Sequence, residues 1–322
     1  MSELYTYAVA RVRAMEDSLF SDGIIEQLIN CKDERQALTF LEEKGWGSGD
    51  GNPDAEVMLQ KEEEKTWSFI DELGIDKKIF DVYTLPKCFH NLKAAIKAVG
   101  LNKEDAQFFY EDEHYGQTEM LQIIREKSYE DLPEMMREVA SEGYEAFMQT
   151  GDGQLLDVII DRATLRAILE AGKKTKEPLI ESYAETTVAV ANIKIAVRSE
   201  ATKKNLGFVE RALAPCKTLD VMALAKATQI NRDAIIDYLS GTIYKEGGEA
   251  LAESASVFER WCDNQMIATI AGEKYNPFTI GPVFAYVIAR QNEIKTVRII
   301  LSGIRNDLPE KEIRERVRRM YV

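Results

Sequence analysis

A chain of 322 residues is long enough for two or three modest hydrophobic cores, so its folding requires no metal or disulfide staple. Its formal net charge of −14 excludes a general nucleic-acid binder, which needs a basic face to meet phosphates. Cys31, Cys88, Cys216 and Cys262 are scattered with no CxxC pair, as expected of reduced, mostly buried thiols in a cytosolic protein rather than of a disulfide framework or zinc site.

The chain opens on an amphipathic pattern, Leu4, Ala8, Val12, Met15 and Leu19, without the basic and apolar regions of a signal peptide. In DERQALTFLEEKG, Asp33 and Gln36 form a capping box and Gly45 is placed to end the helix in the left-handed region. In NPDAEVMLQKEEEKTWSFIDELG, Asn52 caps, Pro53 occupies the first turn and Gly74 terminates. Further helices are expected over about 85–99, 155–171, 177–203, 232–239, 249–271, 282–301 and 309–321, with no hairpin or alternating strand series. TTVAVANIKIAV, from Thr186, is β-branched enough to suit a strand, but its kinship with two other segments makes it a helix. The longest apolar run, IGPVFAYVIA from Ile280, falls well short of the ~20 residues that cross a bilayer. A soluble protein, able to sit on a membrane complex, is expected.

Those kindred segments are HNLKAAIKAVG from His90, ANIKIAVRSEA from Ala191 and NEIKTVRIILSG from Asn292. Asn91, Asn192 and Glu293 follow one another at 101-residue steps, as do Lys93, Lys194 and Lys295. A weaker echo sets Trp46, Tyr144 and Tyr244 beside glycines, 98 and 100 residues apart. Solenoid repeats run ~20–50 residues, so a period near 101 points to a triplicated helical domain. The expected fold is all-α, three similar domains spanning 1–105, 106–207 and 208–322 in a pseudo-threefold body with a central concavity. GWGSGDGNPD and ATKKNLG are loops or domain joints in this scheme. On a wheel centred on Leu92, Asn91 borders one side of the apolar stripe and Lys93 and Lys97 the other. Such edge positions either satisfy neighbouring backbone ends or meet a partner.

Catalytic signals are weak. GWGSGDG lacks GxGxxG spacing and a preceding strand, and AGKKT lacks the first phosphate-loop glycine, replaced by Ala167. EDEH, from Glu111, has no second ligand cluster for a metal. Asp157 and Asp161 share a helical face, which suggests either a magnesium-dependent helical enzyme or a surface pairing with Arg162 or Arg166. No HExxH or serine-elbow motif occurs. No catalytic, cofactor or metal residue is assigned. The C-terminal LPEKEIRERVRRMYV places Ile313, Val317, Met320 and Tyr321 on one face, either as a docking helix or as a locally basic contact.

The opening LYTYAVARVRAMEDSLF, with Tyr7, Ala8, Arg11, Arg13 and Glu16, then FHNLKAAIKA, and above all GPVFAYVIARQNEIKTVRIILSGIRNDLPEKEIRERVRRMYV carry a resemblance over essentially the whole chain. The sequence resembles the C subunit of prokaryotic V/A-type rotary ATPases, equivalent to the d subunit of the eukaryotic vacuolar enzyme. Gln291, Ile304-Arg305 and the FHN triplet depart from that pattern at single positions. The resemblance implies a funnel or socket of three helical domains, without an active site or small-molecule substrate. It implies a place on the cytoplasmic side between the membrane proteolipid ring and the D and F subunits of the rotor shaft, transmitting torque for ATP-linked proton or sodium transport. It also implies partner-binding cations at the mouth of the funnel, for which the candidates are Lys93, Lys97, Lys194, Arg198, Lys295 and Arg298. The rival reading is an unrelated all-helical scaffold that clamps two soluble partners.

Overall fold

A computed structural model describes residues 2–47, 54–103, 108–112, 115–276 and 278–322. Among the described residues all regular secondary structure is helical, with sixteen α-helices. The first four are α1 (Ser2–Glu16), α2 (Asp22–Ile29), α3 (Glu34–Glu43) and α4 (Ala55–Glu72). The next eight are α5 (Asp81–Leu101), α6 (Gln117–Glu126), α7 (Glu134–Thr150), α8 (Gly153–Thr175), α9 (Pro178–Ala201), α10 (Leu206–Ala212), α11 (Val221–Thr228) and α12 (Arg232–Ser240). The last four are α13 (Lys245–Glu253), α14 (Ala255–Ile270), α15 (Gly281–Arg305) and α16 (Glu310–Arg316). The chain divides into two compact units, one built from both ends (Met1–Asp76 with Tyr244–Val322) and one from the middle (Lys77–Ile243).

Local chemistry sets most helix ends where the sequence places them. Asp33 accepts from the Gln36 amide at 2.8 Å, while the Gln36 side chain reaches back to the Lys32 amide at 2.7 Å. Gly45 at φ +87° and Gly74 at φ +64° leave their helices through the left-handed region. Asn52 and Pro53 lie outside the described residues; Asp54 caps α4, accepting from Val57 N at 3.0 Å. The β-branched TTVAVANIKIAV lies wholly within α9, where Val188, Val190 and Ile193 are buried. Packing there overrides the strand preference of the residues.

Helices α2, α6, α7, α10 and α11 were not expected, and three expected segments differ. The helix expected over 249–271 is two, because Ser254 is extended (φ −166°, ψ 164°) and its hydroxyl accepts from Val257 N at 3.1 Å, restarting the helix as α14. The helix expected to run to Tyr321 stops at Arg316. Beyond it, Asn264 accepts from the Arg319 amide at 2.9 Å and Asn292 donates to the Arg319 carbonyl at 3.0 Å, so side chains take the backbone groups a helix would use. Met320 and Tyr321 stay buried, outside any helix. Finally, ATKKNLG is a loop only from Thr202 to Asn205, whose side chain caps α10 by accepting from Phe208 N at 2.9 Å.

In the unit of the two ends, α15 is the centre. Every residue from Gly281 to Arg290 is buried, as expected of a helix covered on all sides. Its later half sets Ile294, Val297, Ile300 and Leu301 against Ile25 and Leu28 of α2, Leu41 of α3 and Leu59 of α4 in one apolar core. In the middle unit, α5 packs against α6, α7 and α8 through Leu85, Phe89, Leu92 and Ile96. Helix α9 packs against α8, α10, α11 and α12.

The crossing of α8 and α9 depends on Gly172, where a Cβ would lie 2.7 Å from the Ala184 Cβ. Gly172→Ala should cost about 1–3 kcal/mol, read from the shift in urea midpoint. Gly207→Ala, where the nearest atom to a new Cβ is 3.6 Å away, should stay within about 0.5 kcal/mol of the wild type.

Candidate functional site

The three residues at 101-residue steps are all fully buried, and each holds the backbone of a segment outside its own helix. On α5, Asn91 donates to the carbonyls of Tyr110 and Tyr115, both at 2.9 Å, and accepts from the Tyr110 amide at 2.8 Å. On α9, Asn192 donates to the Ala214 carbonyl at 2.7 Å and accepts from the Ala214 amide at 2.9 Å. An asparagine amide matches a peptide group at both ends, so one side chain satisfies a buried N–H and C=O together. On α15 the equivalent Glu293 accepts from the Phe20 amide at 2.5 Å.

A carboxylate can only accept, which changes what surrounds the third clasp. Arg290, one turn earlier on α15, donates to Glu293 and, at 2.6 Å, to the buried Glu62 of α4. Glu62 also receives the Lys65 ammonium at 2.6 Å and the Gly47 amide at 3.0 Å. The Arg290 guanidinium lies 5.2 Å from the Trp46 ring centroid, and Trp46 stacks on Phe20 at 5.1 Å. The aromatic echo at Trp46 is thus one wall of the third clasp. Tyr244 is buried edge-on to Trp261, and Tyr144 lies under Lys127, so the three echoed aromatics do not share one role.

The clasps follow one connectivity. Helix α5, which carries the first, packs on the helices after it, α6 to α8; α9 packs on α10 to α12. Helix α15, with almost no chain left to follow, packs on α2, α3 and α4 at the other end of the sequence.

The six candidate cations lie beside these clasps, most of them paired within the chain. Lys93 reaches Asp161 at 2.7 Å and Asp157 at 3.7 Å, and Lys97 reaches Asp157 at 2.6 Å. These pairs tie α5 to α8 and correct the expected pairing of both aspartates with Arg162 or Arg166. The reason is geometric: the aspartates face α5 rather than the arginines of their own helix. Lys295 bonds Asp263 of α14 at 2.7 Å, and Arg318 joins the same carboxylate at 2.6 Å. Burial pushes the Asp263 carboxyl up, but these two cations more than reverse it and hold it below the usual range. Arg298 makes a looser, half-exposed pair with Glu56 at 3.5 Å, a kind that contributes little. Lys194 is half-buried and engaged. Arg198 is exposed and forms no ion pair among the described residues.

The remaining sequence signals resolve into structure. AGKKT is the C-terminal end of α8, whereas a phosphate cradle needs a loop leading into a helix N-terminus. In EDEH, residues 113 and 114 lie outside the described residues, and Asp112 accepts from the Tyr115 amide at 2.8 Å. Burial, and then Asp112, push the Cys88 thiol up to about 12, which removes thiolate character. Among the described residues no group of three or more His, Cys, Asp or Glu side chains converges as a metal site. Sequence reasoning missed Glu62, Arg290 and Phe20. The only available signal was Glu293 itself: an acid where two asparagines stand requires a cation nearby.

Two measurements check the clasps. Asn192→Ala strands the amide and carbonyl of Ala214, which is fully buried, and should cost about 2–5 kcal/mol of unfolding free energy. Burial pushes the Glu293 carboxyl up to about 7, against the pull of Arg290 and the Phe20 amide. A raised carboxyl stabilises the fold fully below its unfolded value of about 4.5, and that stability is lost as pH rises through about 7. Wild type should therefore lose stability relative to Glu293→Gln between pH 4.5 and about 7, and parallel profiles would count against the shift.

The model of the family described as ATP synthase (C/AC39) subunit matches residues 8–316. Among curated proteins, the C subunit of the V-type sodium ATPase of Enterococcus hirae is 22% identical over 317 residues, covering 96% of this chain and 97% of that protein. The C subunit of the A-type ATP synthase of Methanocaldococcus jannaschii is 24% identical over 352 residues, covering 96% and 85%. The C subunit of the V-type ATP synthase of Thermus thermophilus is 20% identical over 333 residues, covering 98% and 99%. Among the described residues no helix is long and apolar enough to cross a membrane. With the family match running from the second turn of α1 to the end of α16, the chain belongs to the ATP synthase (C/AC39) subunit family.

Proposed function

We propose that the protein is a non-catalytic rotor component of a V/A-type ATPase, sitting on the cytoplasmic face between the membrane proteolipid ring and the D and F subunits of the shaft. Three helical domains, 1–105, 106–207 and 208–322, encircle the rotor axis as a socket, and torque applied by the ring passes through them to the shaft.

The observation that carries this reading is the hand-over between copies. Helix α5 is packed on α6, α7 and α8, and α9 on α10, α11 and α12, each across a proposed copy boundary, while α15 is packed on α2, α3 and α4. Where one long helix is packed on the helices of the following segment, a load on the first is passed to the second through a packed, low-compressibility contact. Each joint also carries a buried clasp, at Asn91, Asn192 and Glu293, which cannot slide without stranding a backbone group. Of the cations proposed at the socket mouth, Arg198 is the one best able to hold the shaft, because Lys93, Lys97, Lys295 and Arg298 already have carboxylate partners.

Affinity purification from detergent-solubilised membranes tests the role. The rotor reading predicts recovery of the proteolipid ring together with the D and F subunits. Recovery of neither would favour a scaffold for soluble partners and overturn it. Arg198→Glu should lower the yield of the two shaft proteins while leaving the ring bound.

A further inference from the structure

The Lys65 ammonium of α4 sits in a cradle of oxygens. It donates to the Gly45 carbonyl at 3.1 Å, the Gly47 carbonyl at 3.0 Å and the Glu62 carboxylate at 2.6 Å. A lysine ammonium has three N–H donors, so each one is met. Glu62 lies one turn earlier on α4 and is 1% exposed, while Gly45 and Gly47 flank the buried Trp46 in the turn after α3. Both glycines stand at positive φ, +87° and +77°, a backbone that other residues rarely adopt, and the turn they make brings two carbonyls to one point. Glu62 is held there without Lys65 as well, by the Gly47 amide at 3.0 Å and Arg290 at 2.6 Å.

The cradle is matched to a single positive charge. Glu62 and Glu293 are two buried carboxylates that share one guanidinium, that of Arg290. With both ionised the group has one negative charge in excess, and the Lys65 ammonium cancels it. Distance makes a matching selection. Magnesium binds oxygen at about 2.0–2.1 Å and calcium at about 2.3–2.6 Å, whereas the three contacts here span 2.6–3.1 Å, within the ordinary reach of an N–H donor. Backbone carbonyls are also the ligands that replace the hydration shell of potassium in its selective channels. The Lys65 side chain is 48% exposed, so its stem fills an opening through which a free ion can enter once the stem is cut back.

We propose that the Gly45–Gly47 turn and Glu62 form a monovalent-cation site of the size of ammonium or potassium, in which Lys65 is the resident, tethered cation. Tethering frees the turn from dependence on dissolved ions. It keeps Trp46 stacked on Phe20 and beside Arg290 in whatever salt surrounds the protein.

The test uses the full-length Lys65→Ala variant, in which alanine preserves the helix propensity of α4 and leaves the three oxygens in place. In tetramethylammonium chloride, whose cation has no N–H donor and is too large for the cradle, its urea midpoint should fall below that of the wild type. Ammonium or potassium chloride at the same ionic strength should restore half of that loss or more, by binding the folded state alone. The wild type, with its cradle filled, supplies the general effect of each salt for subtraction. Crystals of the variant soaked in rubidium chloride, rubidium being close to potassium in size, should show an anomalous peak at the place left by the Lys65 Nζ. A midpoint unchanged by Lys65→Ala, a loss that all three salts restore equally, or no rubidium at that place would overturn the proposal. The rotor role stands or falls separately, on the composition of the membrane complex.

Discussion

The structure depends on a buried side chain holding a backbone peptide group that belongs to another stretch of chain. At Asn91 and Asn192 the match is complete, N–H to oxygen and C=O to amide, through side chains that are fully buried. These two clasps hold peptide groups 19 and 22 residues further along the chain against a long helix. At Asn192 a net stabilisation of about 1 kcal/mol per hydrogen bond understates the effect, since the alternative is an unsatisfied peptide group at the fully buried Ala214. The clasps therefore fix where the following helices begin relative to the long helix that precedes them.

At the third position the constraint is met differently. Glu293 brings a buried charge, and the fold surrounds it with Arg290, Glu62 and the aromatic wall of Trp46. A buried triad of this kind is weak evidence of added stability, because desolvation offsets the attraction, but losing any one member leaves an uncompensated charge. Its members come from α15, α4 and the segment at Phe20, so the contacts form only when the N-terminal helices are packed on α15. The most sequence-distant joint thus carries the interaction least tolerant of error.

Much of this was legible in the sequence. The long helices announce themselves through caps and periodicity, as at Asp33, Gly45 and Gly74, and the 101-residue steps mark the clasp positions without naming their partners. The edge placement of Asn91 correctly raised the satisfaction of backbone ends. The sequence reading missed α2, α6, α10 and α11, stretches of seven to ten residues that are marginal as helices unless packed, and also the seventeen-residue α7, whereas α3 and α12, equally short, were marked by their caps at Asp33 and Asn231. The pairing of Lys93 and Lys97 with Asp161 and Asp157 was equally hidden, since the partners lie 68 and 60 residues away on a different helix. In consequence, two separate sequence signals, a basic edge and an acidic face, turn out to neutralise each other.

The proposed role requires that the copies close on themselves around the line along which torque passes. A cryo-EM map of the intact membrane complex tests this most directly. The predicted result is this chain seated between ring and shaft, with Asn91, Asn192 and Glu293 related by successive rotations about the rotor axis. A chain bound away from that axis, or three clasp helices sharing no rotation, would contradict it.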